Sequence, residues 1–300
     1  MNKTQIKVGV IGSGTIGTDL VERMLRDSDF DVRVFIGRRE NSPGLQRFRG
    51  KIPKILHNGQ DDLASVLDEL DGVFDATSAF DHINHWNLVK ASDKWIIDLT
   101  PSKIGVPIVP SLINKVNEII VSKNFSTNYS MVTCGGQSSA PIVQAICSNA
   151  LDISEVEVSS SIAALSAGPA TRLNIDEYIY STRNLVSLIS GVDDVKVILV
   201  LNPADPPVMM RTTVQVSAKS FDLSSMLETL ENNVNVIRRV VPGYNVSVKP
   251  YFSQPGVISC TAKIEGAGYF LPKYAGNLDI INAAAVEMAK IHTRKFRSSV

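Results

Sequence analysis

The chain has 300 residues, 44% of them apolar, and its 30 basic and 30 acidic side chains cancel. That length suggests two domains with ample material for their cores, and the even charge leaves no footprint for nucleic acid or an anionic membrane. No apolar run approaches the roughly 18 residues of a membrane span, and Met1 to Gln5 lead straight into a strand without a visible signal peptide.

Ile6 to Ile11 reads as a buried strand, and Gly12-Ser13-Gly14-Thr15-Ile16-Gly17 follows at once. A helix then runs to about Arg26, with Ile16, Leu20, Val21 and Met24 on its apolar face. Strand, GxGxxG and helix in this order form a dinucleotide-binding fingerprint. The glycines let the backbone approach a pyrophosphate, which rests on the helix N-terminus. The second strand, Asp31 to Ile36, ends in Gly37-Arg38-Arg39-Glu40. NAD-binding domains usually place an acid here for the ribose hydroxyls. Two arginines instead favour the 2′-phosphate of NADP, a solvated charge cluster being the competing reading.

Strands follow at Lys54–His57, Val73–Asp75, Trp95–Leu99 and Glu118–Ser122, with helices at Leu63–Leu70 and Asp81–Ala91. Such alternation predicts a Rossmann-type, doubly wound parallel sheet. Asp75-Ala76-Thr77-Ser78 and Asp98-Leu99-Thr100-Pro101 end two of its strands at the ligand edge. His82 and His85 lie near one of these loops; no third metal ligand accompanies them, so surface or capping roles are expected.

The stretch Met131-Val132-Thr133-Cys134-Gly135-Gly136-Gln137-Ser138-Ser139-Ala140-Pro141 is the pivot of the chain. Ser138 or Ser139 is expected as N-cap, with Pro141 in the first helical turn and Ile142, Val143, Ile146 and Ala150 at helical spacing behind it. Cys134 then sits just ahead of a helix N-terminus, an environment that lowers a thiol's pKa. The glycines leave room for a substrate carbonyl and offer N–H donors to an oxyanion. Cys147, on the following helix, and Cys260, in an alternating strand, read as packing residues. Three cysteines without CxxC spacing fit a reduced cytoplasm rather than disulfides or zinc.

Beyond Cys134 the pattern changes to period-two strands at Glu155–Leu165, Val195–Leu201, Thr212–Ala218, Asn245–Phe252 and Val257–Glu265. Helices interleave at Ile175–Ser190 and Ser224–Val240, which predicts an α+β domain with a mostly antiparallel sheet and helices on one face. Asn174 and Glu177 have the spacing of a capping box. Ahead of them the small-residue loop Ser166-Ala167-Gly168-Pro169-Ala170-Thr171-Arg172 suits contact with a flat cofactor. A last helix, about Leu278 to His292, is expected to return to the dinucleotide domain. The domains expected are residues 1–133 for the dinucleotide, 134–276 for catalysis and dimerisation, and the helix 277–300.

Several strings together resemble the acylating acetaldehyde dehydrogenase family: GSGTIGTDL (12–20), FDATSA (74–79), IDLTP (97–101), MVTCGGQ (131–137), SAGPATRLNIDEY (166–178), NPADPPVMMR (202–211), VPGY (241–244) and LPKYAGNLDI (271–280). The resemblance implies oxidation of acetaldehyde or propanal to the acyl-CoA, with coenzyme A as co-substrate, in a homodimer often partnered by 4-hydroxy-2-oxovalerate aldolase in aromatic or sterol catabolism. It implies Cys134 as the acyl-thioester nucleophile, and Ser13 to Ile16, Ser166 to Asn174 (Leu173 included) and Asn277 as cofactor contacts. The chain departs from the family pattern in Arg39 and in Thr212, both standing where an aspartate is usual, and in a short segment at Ser253 to Gly256. The competing functions are an acyl-phosphate reductase of the semialdehyde type and a non-catalytic cofactor-binding subunit of an aldolase complex.

Overall fold

The computed structural model describes residues 5–113 and 127–297. They divide into two compact units. The first holds the described residues up to Pro110, residues 127–131 and those from Ala285 onward; the second holds Ser111–Ile113 and Val132–Ala284.

The first unit is built on seven parallel strands, β1 (Ile6–Ile11), β2 (Phe30–Ile36), β3 (Lys54–Leu56), β4 (Gly72–Asp75), β5 (Trp95–Asp98), β6 (Val106–Ile108) and β7 (Asn128–Met131), in the order β3-β2-β1-β4-β5-β7-β6. Order reverses beside β1, which makes the crevice at its C-terminal end the ligand edge of an open α/β sheet. Helices α1 (Thr15–Met24), α2 (Pro43–Arg47), α3 (Gln60–Val66) and α4 (Ala79–Val89) connect the strands. Ile11, Val34, Ile36, Leu63, Val73, Val89 and Ile96 form one core of the unit. The expected strand at Glu118–Ser122 lies outside the described residues. The strand next to β5 is β7, whose Asn-Tyr-Ser-Met sequence lacks an apolar run although its first three residues are buried.

The second unit carries α5 (Cys134–Cys147), α6 (Pro169–Leu173), α7 (Ile175–Ser190) and α8 (Leu223–Val240) against five strands, β8 (Ala150–Ala163), β9 (Val195–Asn202), β10 (Met210–Phe221), β11 (Tyr244–Gln254) and β12 (Val257–Ile264). Their order is β11-β12-β10-β8-β9, antiparallel except for β8 with β9. Alternation sends Val156, Val158, Val214, Val216, Cys260 and Ala262 into the core, where Ile142, Val143 and Ile146 meet them. Helix α5 packs against α7, α8 and the sheet, and nearly every residue of it is buried. Its small residues (Gly, Ser, Ala) let neighbours approach on all sides.

The last helix, α9 (Gly276–Arg297), begins in the second unit and continues in the first. There His292 hydrogen-bonds the Tyr129 hydroxyl at 2.9 Å, and Lys290 bridges Asp27 and Asp29 at 2.5 and 3.2 Å.

Candidate active site

Cys134 is the first residue of α5, not a residue ahead of it. Thr133 is the N-cap, its Oγ1 accepting from the Gly136 N–H at 2.9 Å, and Thr182 of α7 holds the same hydroxyl at 2.5 Å. Ser138 and Ser139, expected as caps, lie inside the helix and donate back to the Gly135 and Gly136 carbonyls at 3.1 and 3.4 Å. Pro141 therefore falls in the helix interior. With Thr133 as cap the helix starts five to six positions earlier than either serine would start it.

The thiol is 7% exposed. Burial pushes its pKa up to about 11, against the pull of the Gly135 N–H, the Tyr178 hydroxyl and its own N–H. The expected lowering is thus reversed, because loss of hydration penalises a thiolate more than these donors favour it. Behind the first turn lies a chain of hydroxyls. Thr212 Oγ1, fully buried on β10, is 2.7 Å from Ser138 Oγ and 3.1 Å from Ser160 Oγ. Cys147 and Cys260 are buried too, and burial pushes both thiols up to about 12.

On the first unit, Gly12 through Gly17 form the turn from β1 into α1. Gly12 has φ +108°, and a Cβ there would strike the Ala76 carbonyl oxygen; one on Gly17 would strike that of Gly12. Glycine is the residue that lets this turn close. Ser13 Oγ meets Ser42 Oγ at 2.8 Å, and Thr18 ties back to the Gly14 carbonyl at 2.7 Å, so Ser13, Gly14, Thr15 and Ile16 are held with their N–H groups at the helix start. Past β2, Arg38 is exposed and leans on Asp81 at 3.6 Å. Arg39 is exposed and, among the described residues, its side chain has no partner.

His82 and His85 are not surface residues. Both are buried, and their Nδ1 atoms contact one oxygen of Asp75, at 2.9 and 2.7 Å. Asp98 Oδ1 stands 3.6 Å from His82 Nδ1, and Asn128 reaches His82 Nε2 at 3.3 Å. Burial acts on Asp75 most strongly, but bonds from both histidines and Thr77 outweigh it and bring its pKa down to about 2. His82 is raised: burial opposes, and the two carboxylates prevail. Asp98 goes up with burial. The two aspartates end β4 and β5, so this network braces the strand ends at the ligand edge. The spacing puts the two histidines on one helix face, but it does not say that this face is covered. Among the described residues no group of three or more His, Cys, Asp or Glu side chains could hold a metal.

In the second unit, Ser166 closes a single 3-10 turn that follows β8, and Gly168 precedes the short helix α6, which carries Pro169, Ala170, Thr171, Arg172 and Leu173. Arg172 is turned onto its own loop, donating to the Ala167 and Ala164 carbonyls at 2.9 Å each. Leu173 is 84% exposed. Asn174 takes the N-cap position of α7 without a side-chain capping bond, so the asparagine half of the expected capping box is missing, and Glu177 accepts from Ser181. Asn277 reaches the Ser166 carbonyl at 3.5 Å, bringing α9 to this loop, and its Oδ1 is buried without a partner. The turn 12–17 with Arg38 and Arg39 belongs to one unit; Cys134, the loop 166–174 and Asn277 belong to the other.

A family model described as prokaryotic acetaldehyde dehydrogenase, dimerisation, matches residues 134–272. An acetaldehyde dehydrogenase of Pectobacterium atrosepticum is 42% identical over 294 residues, covering 97% of this chain and 96% of that one. The chain belongs to the acetaldehyde dehydrogenase family. A relative of that name in Carboxydothermus hydrogenoformans is 40% identical, covering 95% of this chain and 92% of its own. Among solved structures, aspartate semialdehyde dehydrogenase II of Vibrio cholerae superposes with a TM-score of 0.62 at 13% identity, covering 96% of this chain and 99% of that one. At that identity the likeness is one of fold. Membership in the acetaldehyde dehydrogenase family bears out the resemblance carried by the TCGG and SAGPATRLNIDEY strings. Tyr178 and Ser160, which stand at the first turn of α5, carried no sequence signal of their own: one follows a helix start and the other fits a strand's alternation.

Proposed function

We propose that the protein is a CoA-acylating aldehyde dehydrogenase, converting a short-chain aldehyde and CoA to the acyl-CoA through a thioester on Cys134, and that it prefers NADP(H) to NAD(H). The observation that carries this reading is the thiol itself, on the first residue of a long buried helix, with its own N–H and that of Gly135 acting on the sulfur. The Cys134 thiolate adds to the aldehyde carbon, and the carbonyl electron pair moves to oxygen, where N–H groups of the first turn of α5 stabilise it. A nicotinamide ring, when bound, would supply the hydride acceptor. Loss of hydride from the carbon leaves an acyl-cysteine; the CoA thiol, giving its proton to water, then attacks the thioester carbon, and the C–S bond to Cys134 breaks with the electron pair returning to the Cys134 sulfur. The same steps run in reverse from acyl-CoA.

The glycine turn 12–17 suits the pyrophosphate; the Asn277 Oδ1 and the Arg39 guanidinium, which have no partner among the described residues, suit the amide of a nicotinamide and a 2′-phosphate. The match to a dimerisation model supports a homodimer. Three unpaired cysteines suit a reducing cytoplasm, and among the described residues no helix is long and apolar enough to cross a membrane. The semialdehyde-type fold raises a second reading, reduction of an acyl phosphate. One assay separates them: turnover with aldehyde, dinucleotide and either CoA or inorganic phosphate. Cys134→Ser should lose at least about 10³-fold in kcat while binding dinucleotide as before, and Cys147→Ser should keep both. Full turnover by Cys134→Ser, or dependence on phosphate in place of CoA, would overturn the proposal.

A further inference from the structure

The Tyr178 hydroxyl is buried in a residue 7% exposed, and among the described residues no well-formed hydrogen bond engages it, although Ser160, the Gly135 N–H and the Cys134 thiol all lie beside it. Buried phenols almost always find a partner, so an unpaired one asks for a reason. Tyr178 lies on the first turn of α7 and its hydroxyl is seated against Gly135: a Cβ on that glycine would collide with it and would lie 3.2 Å from Ser160 Oγ. The other hydroxyls around the first turn of α5 are engaged with one another, Thr133 with Thr182 and both Ser138 and Ser160 with Thr212. Of the ionisable side chains, Tyr178 acts most strongly on the Cys134 thiol. Burial, and then the charge of a thiolate beside it, hold its own pKa well above the ordinary phenol value. It is therefore a neutral O–H donor at any working pH.

We propose that Tyr178 is a catalytic residue, the donor whose O–H hydrogen-bonds the Cys134 sulfur as the thiolate forms. The proposal rests on Cys134 being the nucleophile of the reaction above. When the S–H bond breaks, its electron pair stays on sulfur and the proton passes to water; Tyr178 keeps its own proton throughout. The phenol then completes a set of three donors with the N–H groups of Cys134 and Gly135. A buried thiolate gains most from such donors, because they stand in for the hydration it has lost. Gly135 has a specific part in this, since its missing Cβ is what lets the hydroxyl reach the helix start.

The test is the rate of Cys134 alkylation by iodoacetamide between pH 7 and 9, read on the Cys134 peptide by mass spectrometry, in wild type and Tyr178→Phe. Loss of one donor to a charged sulfur should slow alkylation about tenfold or more at each pH, and should lower kcat/KM for the aldehyde in parallel. Dinucleotide affinity should not move. The melting temperature should hold or rise, because phenylalanine fills the same space without an unpaired hydroxyl. Gly135→Ala, whose methyl takes the hydroxyl's place, should slow alkylation in the same way. Alkylation of Tyr178→Phe at the wild-type rate would overturn the proposal. Turnover in Cys134→Ser would instead overturn the nucleophile assignment, and the alkylation rates read Tyr178 separately from that result.

Discussion

At the end of β2, two adjacent arginines have different surroundings. Arg38 is drawn to Asp81 at 3.6 Å, whereas Arg39 projects into solvent and, among the described residues, pairs with nothing. A planar guanidinium with no partner is a ready clamp for phosphate oxygens, and a charge-assisted bond to it contributes about 1.5–3 kcal/mol, on the order of tenfold or more in selectivity. The ratio of kcat/KM for NADP(H) over NAD(H) should therefore exceed about ten and should fall below one in Arg39→Asp, while Arg38→Ala should change it little. A wild type that prefers NAD(H), or a ratio untouched by Arg39→Asp, would show that Arg39 does not meet the ribose. Cys134 illustrates a different lesson at this scale. Position at a helix start argues for a low pKa, yet burial wins, because partial charges on two N–H groups do not replace the water around a full charge.

At the scale of elements, β4, β5 and α4 are joined by the buried Asp75–His82–His85–Asp98 network. Asp75 is depressed from 3.8 to about 2, so its contribution to stability is fully present above pH 3.8 and is lost as pH falls through about 2. His82 is raised above 6.5, so its contribution is present below pH 6.5 and is lost as pH rises through the folded-state value. His82→Gln should cost about 1–3 kcal/mol near neutrality, from a buried carboxylate deprived of a partner. It should also move acid unfolding to higher pH, since Asp75 then loses part of what holds it ionised. Urea midpoints from pH 3 to 8 measure both; curves that superimpose would mean the histidine pair is mere filling. The histidines' burial was not legible because α4 has a weakly apolar face, and only its packing on the sheet edge reveals which side is covered.

For the whole molecule, the described helices of the second unit pack on one face of its sheet, and among the described residues the other face is a half-exposed array of Ser159, Thr213, Gln215 and Thr261. Thr213 and Thr261 pair across the strands with Oγ1 atoms 2.8 Å apart. A flat face of short polar side chains can meet its own copy closely, and the matched dimerisation model spans these strands. Thr213→Arg would set an unpaired cation at the centre of that face and should shift the protein to monomer in analytical ultracentrifugation. A variant that stays dimeric would place the interface elsewhere.

The chain's own order determined the two sheets, the dinucleotide turn and a helix following the Thr-Cys-Gly-Gly string, since strand alternation, helical spacing and GxGxxG are local patterns whose physics needs no distant partner. Helix α7 was legible over its whole length, Ile175 to Ser190, because a strong apolar stripe defines it and Gly191 ends it at φ +73°. Strand β7 was missed because a strand buried on both faces of a sheet need not be apolar when its polar groups find partners: Asn128 meets His82, and Ser130 meets Asp98 at 3.3 Å. Only tertiary structure decided that Thr133 outcompetes two serines as cap, through Thr182 on another helix, and that Tyr178 stands over Gly135. The reason is common to all three. A buried polar group takes its role from whatever the fold brings against it, and those partners lie far away along the chain.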